Sequence, residues 1–97
     1  MRFEWDPAKA GGNEAKHGVR FELAITAFDD PFAWIVVDGK HSTPQETREW
    51  LIGESDNGVL VVVFTRRREG RVVRIISARR ANARERRLYE ERCGFSL

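Results

Sequence analysis

Side chains suited to handling phosphate are concentrated between Arg74 and Glu90, RIISARRANARERRLYE, where an apolar strand runs into arginines and then into an arginine-rich helix. Arginine's planar fork grips phosphate oxygens two at a time and keeps its charge, so it serves both to bind RNA and to neutralise charge growing on phosphorus. Arg79 and Arg80 stand just before Asn82, where unpaired helix N–H groups and the positive dipole end also favour an anion. Arg66, Arg67 and Arg68 end the preceding strand. If the two strands are hairpin partners through Glu69-Gly70, these arginine groups lie at opposite ends and cannot form one site. Period-two alternation places Arg74, Ile76 and Arg80 on one face and Val73, Ile75, Ser77 and Arg79 on the other. The alternative is that Arg79 and Arg80 pair with Glu46, Glu85 or Glu90 as surface ions.

Tyr89 and Glu85 are four residues apart, hence neighbours on one helix face. There a ring can stack a base, and a carboxylate can take a proton or orient an arginine; otherwise they are a core tyrosine and a capping glutamate. Lys16-His17-Gly18-Val19 closes an earlier helix. Histidine is the side-chain type that titrates near neutrality, although one at a helix C-terminus also serves simply to satisfy the dipole. Metal chemistry is disfavoured, because His17 and His41 are the only histidines, the carboxylates are scattered, and nothing has metal-ligand spacing. Gly11-Gly12 lacks the Lys-Ser/Thr of a phosphate loop. No cofactor is expected.

Charge divides the chain: residues 1–58 carry 6 Lys+Arg against 11 Asp+Glu, a net of −5, while residues 59–97 carry 11 against 4, a net of +7. The total of +2 therefore conceals a basic half suited to a polyanion, most simply nucleic acid. The 97 residues are expected to form a single domain over 1–97 with one core, and 41% hydrophobic residues with three tryptophans suffice to fold it. Cys93 is the one cysteine, so no disulfide forms within the chain, and a reducing compartment is expected. No segment approaches the ~18 apolar residues of a membrane span, and the opening residues carry no signal-peptide run. A cytoplasmic location with no membrane partner follows as an expectation.

The elements that must hold these groups are legible in outline. Arg2 to Asp6 alternates as a short edge strand with Phe3 and Trp5 inward. Asp6-Pro7 opens a helix that Gly18 closes. Phe21, Ala24, Ile25 and Phe28 mark one face of a second short helix. Ala33–Val37, Arg48–Ile52, Val59–Thr65 and Val72–Ser77 read as strands, with turns at Asp56-Asn57-Gly58 and Glu69-Gly70. Connections this tight require antiparallel pairing. Asn82 starts the last helix, with Glu85 at capping-box spacing, and Gly94 ends it. The expected class is α+β: N-terminal strand, two short helices, antiparallel four-stranded meander, C-terminal helix.

In the segments FEWDPAKAGGNEAKHGVRFELAITAFDDP, VLVVVFTRRR and RIISARRANARERRLYE the chain resembles the BrnT toxins. These are the ribonuclease halves of bacterial type II toxin–antitoxin pairs. The likeness runs in order over nearly the whole chain, and KHGV-F followed by RIISAR is far more specific than a basic patch. It implies a RelE-like fold and RNA cleavage that inhibits translation. It also implies a cognate BrnA-like antitoxin with a ribbon-helix-helix DNA-binding part, so that DNA is met only through that partner. Lys16 and His17 fall in the family's KHGV segment, Arg48 in its Glu-x-Arg before Ile52-Gly53, and Ser77, Arg79 and Arg80 in its SARR segment. Gly11-Gly12 and Thr47 depart mildly from the pattern.

RNA carries its own nucleophile, so a metal-free nuclease needs only a proton acceptor, a proton donor and positive charge at the scissile phosphate. His17, Glu46, Arg48 and Arg79 are the expected catalytic residues, and Lys16, Arg66, Ser77, Arg80 and Tyr89 the expected RNA contacts. Arg79, with Arg48 or Arg80, stabilises the phosphorane while His17, Lys16 or Glu46 handles protons, leaving a 2′,3′-cyclic phosphate. The competing reading is a non-catalytic nucleic-acid-binding module using the same arginines.

Overall fold

The computed structural model describes residues 1–94. In chain order these form β1 (Arg2–Glu4), α1 (Pro7–His17), α2 (Phe21–Thr26) with a 3-10 turn over Ala27–Asp29, β2 (Trp34–Val37), β3 (Arg48–Ser55), β4 (Gly58–Arg67), β5 (Val72–Arg80) and α3 (Ala83–Arg92). The class is mixed α+β, with three helices and a five-stranded sheet in the order β1-β5-β4-β3-β2. Strands β2 to β5 each pair antiparallel with the next, whereas β1 joins β5 in parallel. The fifth strand comes from a pairing between the two ends of the sheet segment in sequence, which no local pattern announces.

Local chemistry sets the helix ends. The Asp6 side chain accepts the Ala8 N–H at 2.8 Å and Pro7 takes the first turn, while Gly18 closes α1 at φ 68°, a left-handed conformation that glycine adopts without steric cost. At α3 the capping box is reciprocal: Asn82 Oδ1 accepts the Glu85 N–H at 2.8 Å, and Glu85 Oε1 accepts the Asn82 N–H at 2.9 Å.

The sheet buries its two faces unequally. Against α1 and α2 lie Leu51, Leu60, Val62, Phe64, Val73, Ile75 and Ala78, closed over by Val19, Phe21, Ala24 and Ala27. Phe3, Phe28 and Phe64 stack edge to face there at 5.0 and 5.2 Å. Gly53 lets the turn after α2 approach this side: a Cβ there would sit 3.1 Å from the Ala27 carbonyl oxygen. The opposite face carries only a small cluster, in which Tyr89 and Ala81 meet Ile52 and Val61 beside Trp34, Trp50 and Val59. Helix α3 covers one corner, and Arg48, Trp50, Val63, Arg74, Ile76, Ser77 and Arg79 remain half-buried.

One irregularity decides which arginines share that open face. Val63 pairs with Ser77 but Phe64 pairs with Ile75, so Ile76 is an extra residue in β5. Strict alternation in β5 is therefore corrected. Beyond the bulge, Ser77 and Arg79 join the face of Arg74, and Arg80 joins that of Val73 and Ile75.

Asn13, buried on α1, secures β5 where β1 has ended. Its Nδ2 donates to the carbonyls of Val19 and Ala78 at 2.9 and 2.8 Å, and its Oδ1 accepts the Ala78 N–H at 3.0 Å. The side-chain amide thus substitutes for one residue of a neighbouring strand.

Candidate active site

The register lays three rows across the open face. The first runs Glu4, Arg74, Thr65, Arg48; the second Ser77, Val63, Trp50, Val36; the third Arg79, Val61, Ile52, Trp34. Strands lie about 4.8 Å apart, so the backbones of Arg48 and Arg74, two strands apart, are separated by roughly 10 Å. Two arginine side chains can close that gap around one phosphate.

Their present partners are carboxylates. Arg48 Nε donates to Glu46 Oε1 at 3.2 Å, Arg67 Nη2 lies 3.6 Å from Glu46 Oε2, and Glu4 joins Arg74 at 2.8 Å and Arg67 at 3.9 Å. The result is a continuous chain, Arg48–Glu46–Arg67–Glu4–Arg74, of three cations and two anions. Its net positive charge lies at the first row, on side chains that are all about one-third to one-half exposed. The forks are gathered but only loosely held, since exposed pairs of this kind contribute at most about 1 kcal/mol each.

Arg79 is held differently. Its fork meets both oxygens of Glu85, at 2.7 and 2.8 Å, and Glu85 also accepts the Asn82 N–H. The anion seat at the start of α3 is thus filled by the chain's own carboxylate. The Arg79 fork, opposed by burial and aided by the Asn82 N–H, holds the Glu85 carboxyl below its ordinary value, and Glu85 in turn raises Arg79. Beside this pair runs a groove of about 310 Å³ between sheet and helix, lined by Trp34, Val36, Trp50, Ile52 and Leu88 among others. It offers apolar and indole surface next to the arginines.

The remaining expected residues separate. Lys16 and His17 end α1, which packs on β5 from the other side of the sheet. Arg80 points to that side as well: it donates to the Asn57 carbonyl at 2.7 Å and borders a concavity of about 420 Å³ with Gly18, Arg20 and Thr26. His17 and Arg80 therefore belong to the opposite layer from Arg48, Glu46 and Arg79. Arg66 lies there too, clamped on Glu49 at 2.7 and 3.2 Å and over the Phe64 ring.

Tyr89 is only 4% exposed, and its hydroxyl donates to Asp30. A ring so enclosed has no face for a base, which corrects its expected role as an RNA contact. Burial, together with the hydrogen bonds to Asp30 and Cys93, pushes its phenol far up. On Asp30, burial is outweighed by the Glu54 N–H, Tyr89 and the Phe32 N–H, and the carboxyl lies below its ordinary value.

Sequence reasoning weighed His41 only as a metal ligand and passed over its pairing with Asp38. Asp38 extends the first row beyond Arg48, donating its N–H to the Arg48 carbonyl at 2.8 Å. Its Oδ2 takes the Trp50 Nε1–H at 3.0 Å and stands 2.8 Å from His41 Nδ1. Burial opposes charge on Asp38, but the His41 and Trp50 donors outweigh it and hold the carboxyl below its ordinary value. The available signal was a histidine three residues after an aspartate that ends a strand. Among the described residues no three of His, Cys, Asp or Glu are grouped so as to hold a metal ion, and no helix is long and apolar enough to cross a membrane.

The model of one protein family, described as the ribonuclease toxin BrnT of type II toxin–antitoxin systems, matches residues 5–85. The chain belongs to the BrnT family. The matched span holds every row of the open face apart from Glu4, and ends at Glu85, short of Tyr89. No curated protein matches the chain. For a BrnT ribonuclease the substrate is a polyanion, and the open face with its five-residue charge chain gathers three arginines at one ledge.

The depressed carboxyls give this BrnT chain a definite acid response. A folded pKa below the unfolded one contributes stability that is complete above the ordinary value, 3.8 for Asp30 and 4.5 for Glu85, and is lost as pH falls through the lower folded value. Thermal unfolding followed from about pH 7 to about pH 2.5 should show Tm falling once pH drops below these values. In Glu85→Gln, which keeps the cap geometry but not the charge, Tm should be lower at neutral pH and fall less steeply with acid.

Proposed function

We propose that this chain is a metal-independent endoribonuclease, RelE-like in fold, that cleaves RNA to inhibit translation and is neutralised by a cognate ribbon-helix-helix antitoxin. The observation that carries the reading is the Glu46 carboxylate between Arg48 and Arg67 on a sheet face left half open. Family membership supplies the ribonuclease class, and the ledge supplies the chemistry.

The RNA backbone lies along the open face with its scissile phosphate at the first row. Arg48, Arg67 and Arg74 exchange their carboxylate partners for phosphate oxygens, which frees Glu46 to accept a proton from the ribose 2′-hydroxyl. The 2′-oxygen attacks phosphorus, the bond to the 5′-oxygen breaks, and the arginines stabilise the added charge of the phosphorane. The products are a 2′,3′-cyclic phosphate and a 5′-hydroxyl. Arg79 and Ser77, further along β5, contact a neighbouring nucleotide, and a base stacks in the groove of Trp34 and Trp50.

Labelled RNA incubated with the protein in excess EDTA is expected to be cut, with cyclic phosphate at the new 3′ ends. Intact RNA in EDTA together with cutting after magnesium is added would eliminate this mechanism. Binding without cutting under either condition would leave the arginines as a nucleic-acid clamp.

A further inference from the structure

The ledge as described accepts a proton at Glu46 but does not yet return one to the departing 5′-oxygen. Lys16 and His17 of α1 lie in the other layer, and Tyr89 is enclosed, so the donor must come from another element. Asp38 pairs with Arg48 across one strand spacing, about 4.8 Å, and its side chain lies on the face of Trp50. His41, from the loop after β2, places Nδ1 2.8 Å from Asp38 Oδ2 and its backbone N–H 3.3 Å from Asp38 Oδ1. The same carboxylate is anchored by Trp50 Nε1 at 3.0 Å, and Ser42 ties the loop to the Asp38 carbonyl at 2.6 Å and to the Arg48 N–H at 2.9 Å.

A carboxylate only accepts hydrogen bonds, so Nδ1 carries the proton shared with Asp38, and Nε2 is left for solvent or substrate. The His41 side chain is 56% exposed while that of Asp38 is 10% exposed. This is a histidine oriented from behind by a fixed carboxylate with its working nitrogen in the open, the arrangement a proton donor requires. The other charged groups of the neighbourhood are Lys40 on the same loop, Glu46 further along it and Arg48 on β3.

We propose that His41 is the general acid of the reaction, with Asp38 as its positioning residue. The inference rests on the nuclease reading above. As the bond from phosphorus to the 5′-oxygen breaks, the Nε2 proton of the imidazolium passes to that oxygen. Glu46 has meanwhile taken the 2′-hydroxyl proton. The enzyme is left with neutral His41 and protonated Glu46, and exchange with water restores both.

The test compares wild type and His41→Ala on ordinary RNA and on RNA whose scissile 5′-oxygen is replaced by sulfur, a leaving group that departs without protonation. His41→Ala is expected to slow cleavage of ordinary RNA by about 10²–10⁴-fold and to cleave the sulfur substrate at close to the wild-type rate. Asp38→Asn should lower kcat with little change in KM and move the acidic-to-neutral limb of the pH–rate profile. Equal slowing of both substrates, or no slowing of either, overturns the role of His41 while leaving a cleaving wild type intact. Failure of the wild-type protein to cut either substrate overturns the nuclease reading and this inference together. His41 is exposed and holds no core contact, so circular dichroism of His41→Ala should match wild type.

Discussion

Arg48→Ala is expected to slow single-turnover RNA cleavage by about 10²–10³-fold, the usual cost of removing one group that stabilises transition-state charge. Arg48 adjoins Glu46 at 3.2 Å and sits in the row that also holds Arg74, so its loss removes charge from phosphorus and loosens the base. RNA affinity, measured separately by fluorescence anisotropy, should fall much less than the rate, because Arg67, Arg74 and Arg79 still face the polyanion. Arg48→Lys should recover only part of the rate, since an ammonium cannot reproduce the two-pronged geometry. Arg20→Ala, on the helix side of the sheet, should leave cleavage within a few-fold of wild type and serves as the control for lost charge. An Arg48→Ala protein that is folded and cuts at the wild-type rate would remove the ledge from the chemistry.

Asn13→Leu should be the most damaging single change to the fold. Three hydrogen bonds end on this one amide, and Val19 and Ala78, which they serve, are both 0% exposed. An unsatisfied buried backbone group costs about 1–3 kcal/mol. Orphaning two carbonyls and one N–H should therefore remove about 3–5 kcal/mol from a total that for such domains is about 5–15 kcal/mol. At about 4–8 °C per kcal/mol, Tm should fall by roughly 15 °C or more. Asn13→Asp offers a sharper comparison, because it keeps the shape and the acceptor but turns an oxygen toward the carbonyls of Val19 and Ala78. A loss below about 1 kcal/mol in Asn13→Asp would mean that β5 does not depend on this amide.

The local layers of the fold were legible because short-range chemistry writes them. Asp6-Pro7, Gly18 and the Asn82/Glu85 box are rules about orphan helix N–H and C=O groups, and each closes as expected. The alternating runs of β2 to β5 likewise follow from burying side chains against helices. What resisted reading is non-local. The parallel union of β1 with β5 joins residues some seventy positions apart, and no residue of Ile75-Ile76-Ser77 announces the bulge that swaps the faces of Arg79 and Arg80.

The site was legible in its residue types and less so in their grouping. Glu46 and Arg48 meet as a pair, and Ser77 and Arg79 share their face, because β3 and β5 flank β4. His17 and Arg80 part from them because α1 lies on the opposite side of the sheet. For Arg79 the sequence left Glu46, Glu85 and Glu90 open as partners, and the one it takes, Glu85, lies across a strand-to-helix boundary six residues on. The Asp38–His41 pair went unread because a loop histidine gains meaning only from the carboxylate and indole packed behind it.

Three tryptophans make the choice between the two faces directly observable. Trp34 and Trp50 border the open face, while Trp5 packs with the helices on the other. In a ¹⁵N-labelled sample titrated with a 2′-O-methyl RNA, which binds but cannot be cut, the indole N–H signals of Trp50 and Trp34 should shift with occupancy while that of Trp5 stays in place. Movement of Trp5 with Trp50 and Trp34 unchanged would contradict the account, because RNA would then lie on the face of Arg80 and His17, away from the Glu46–Arg48 ledge.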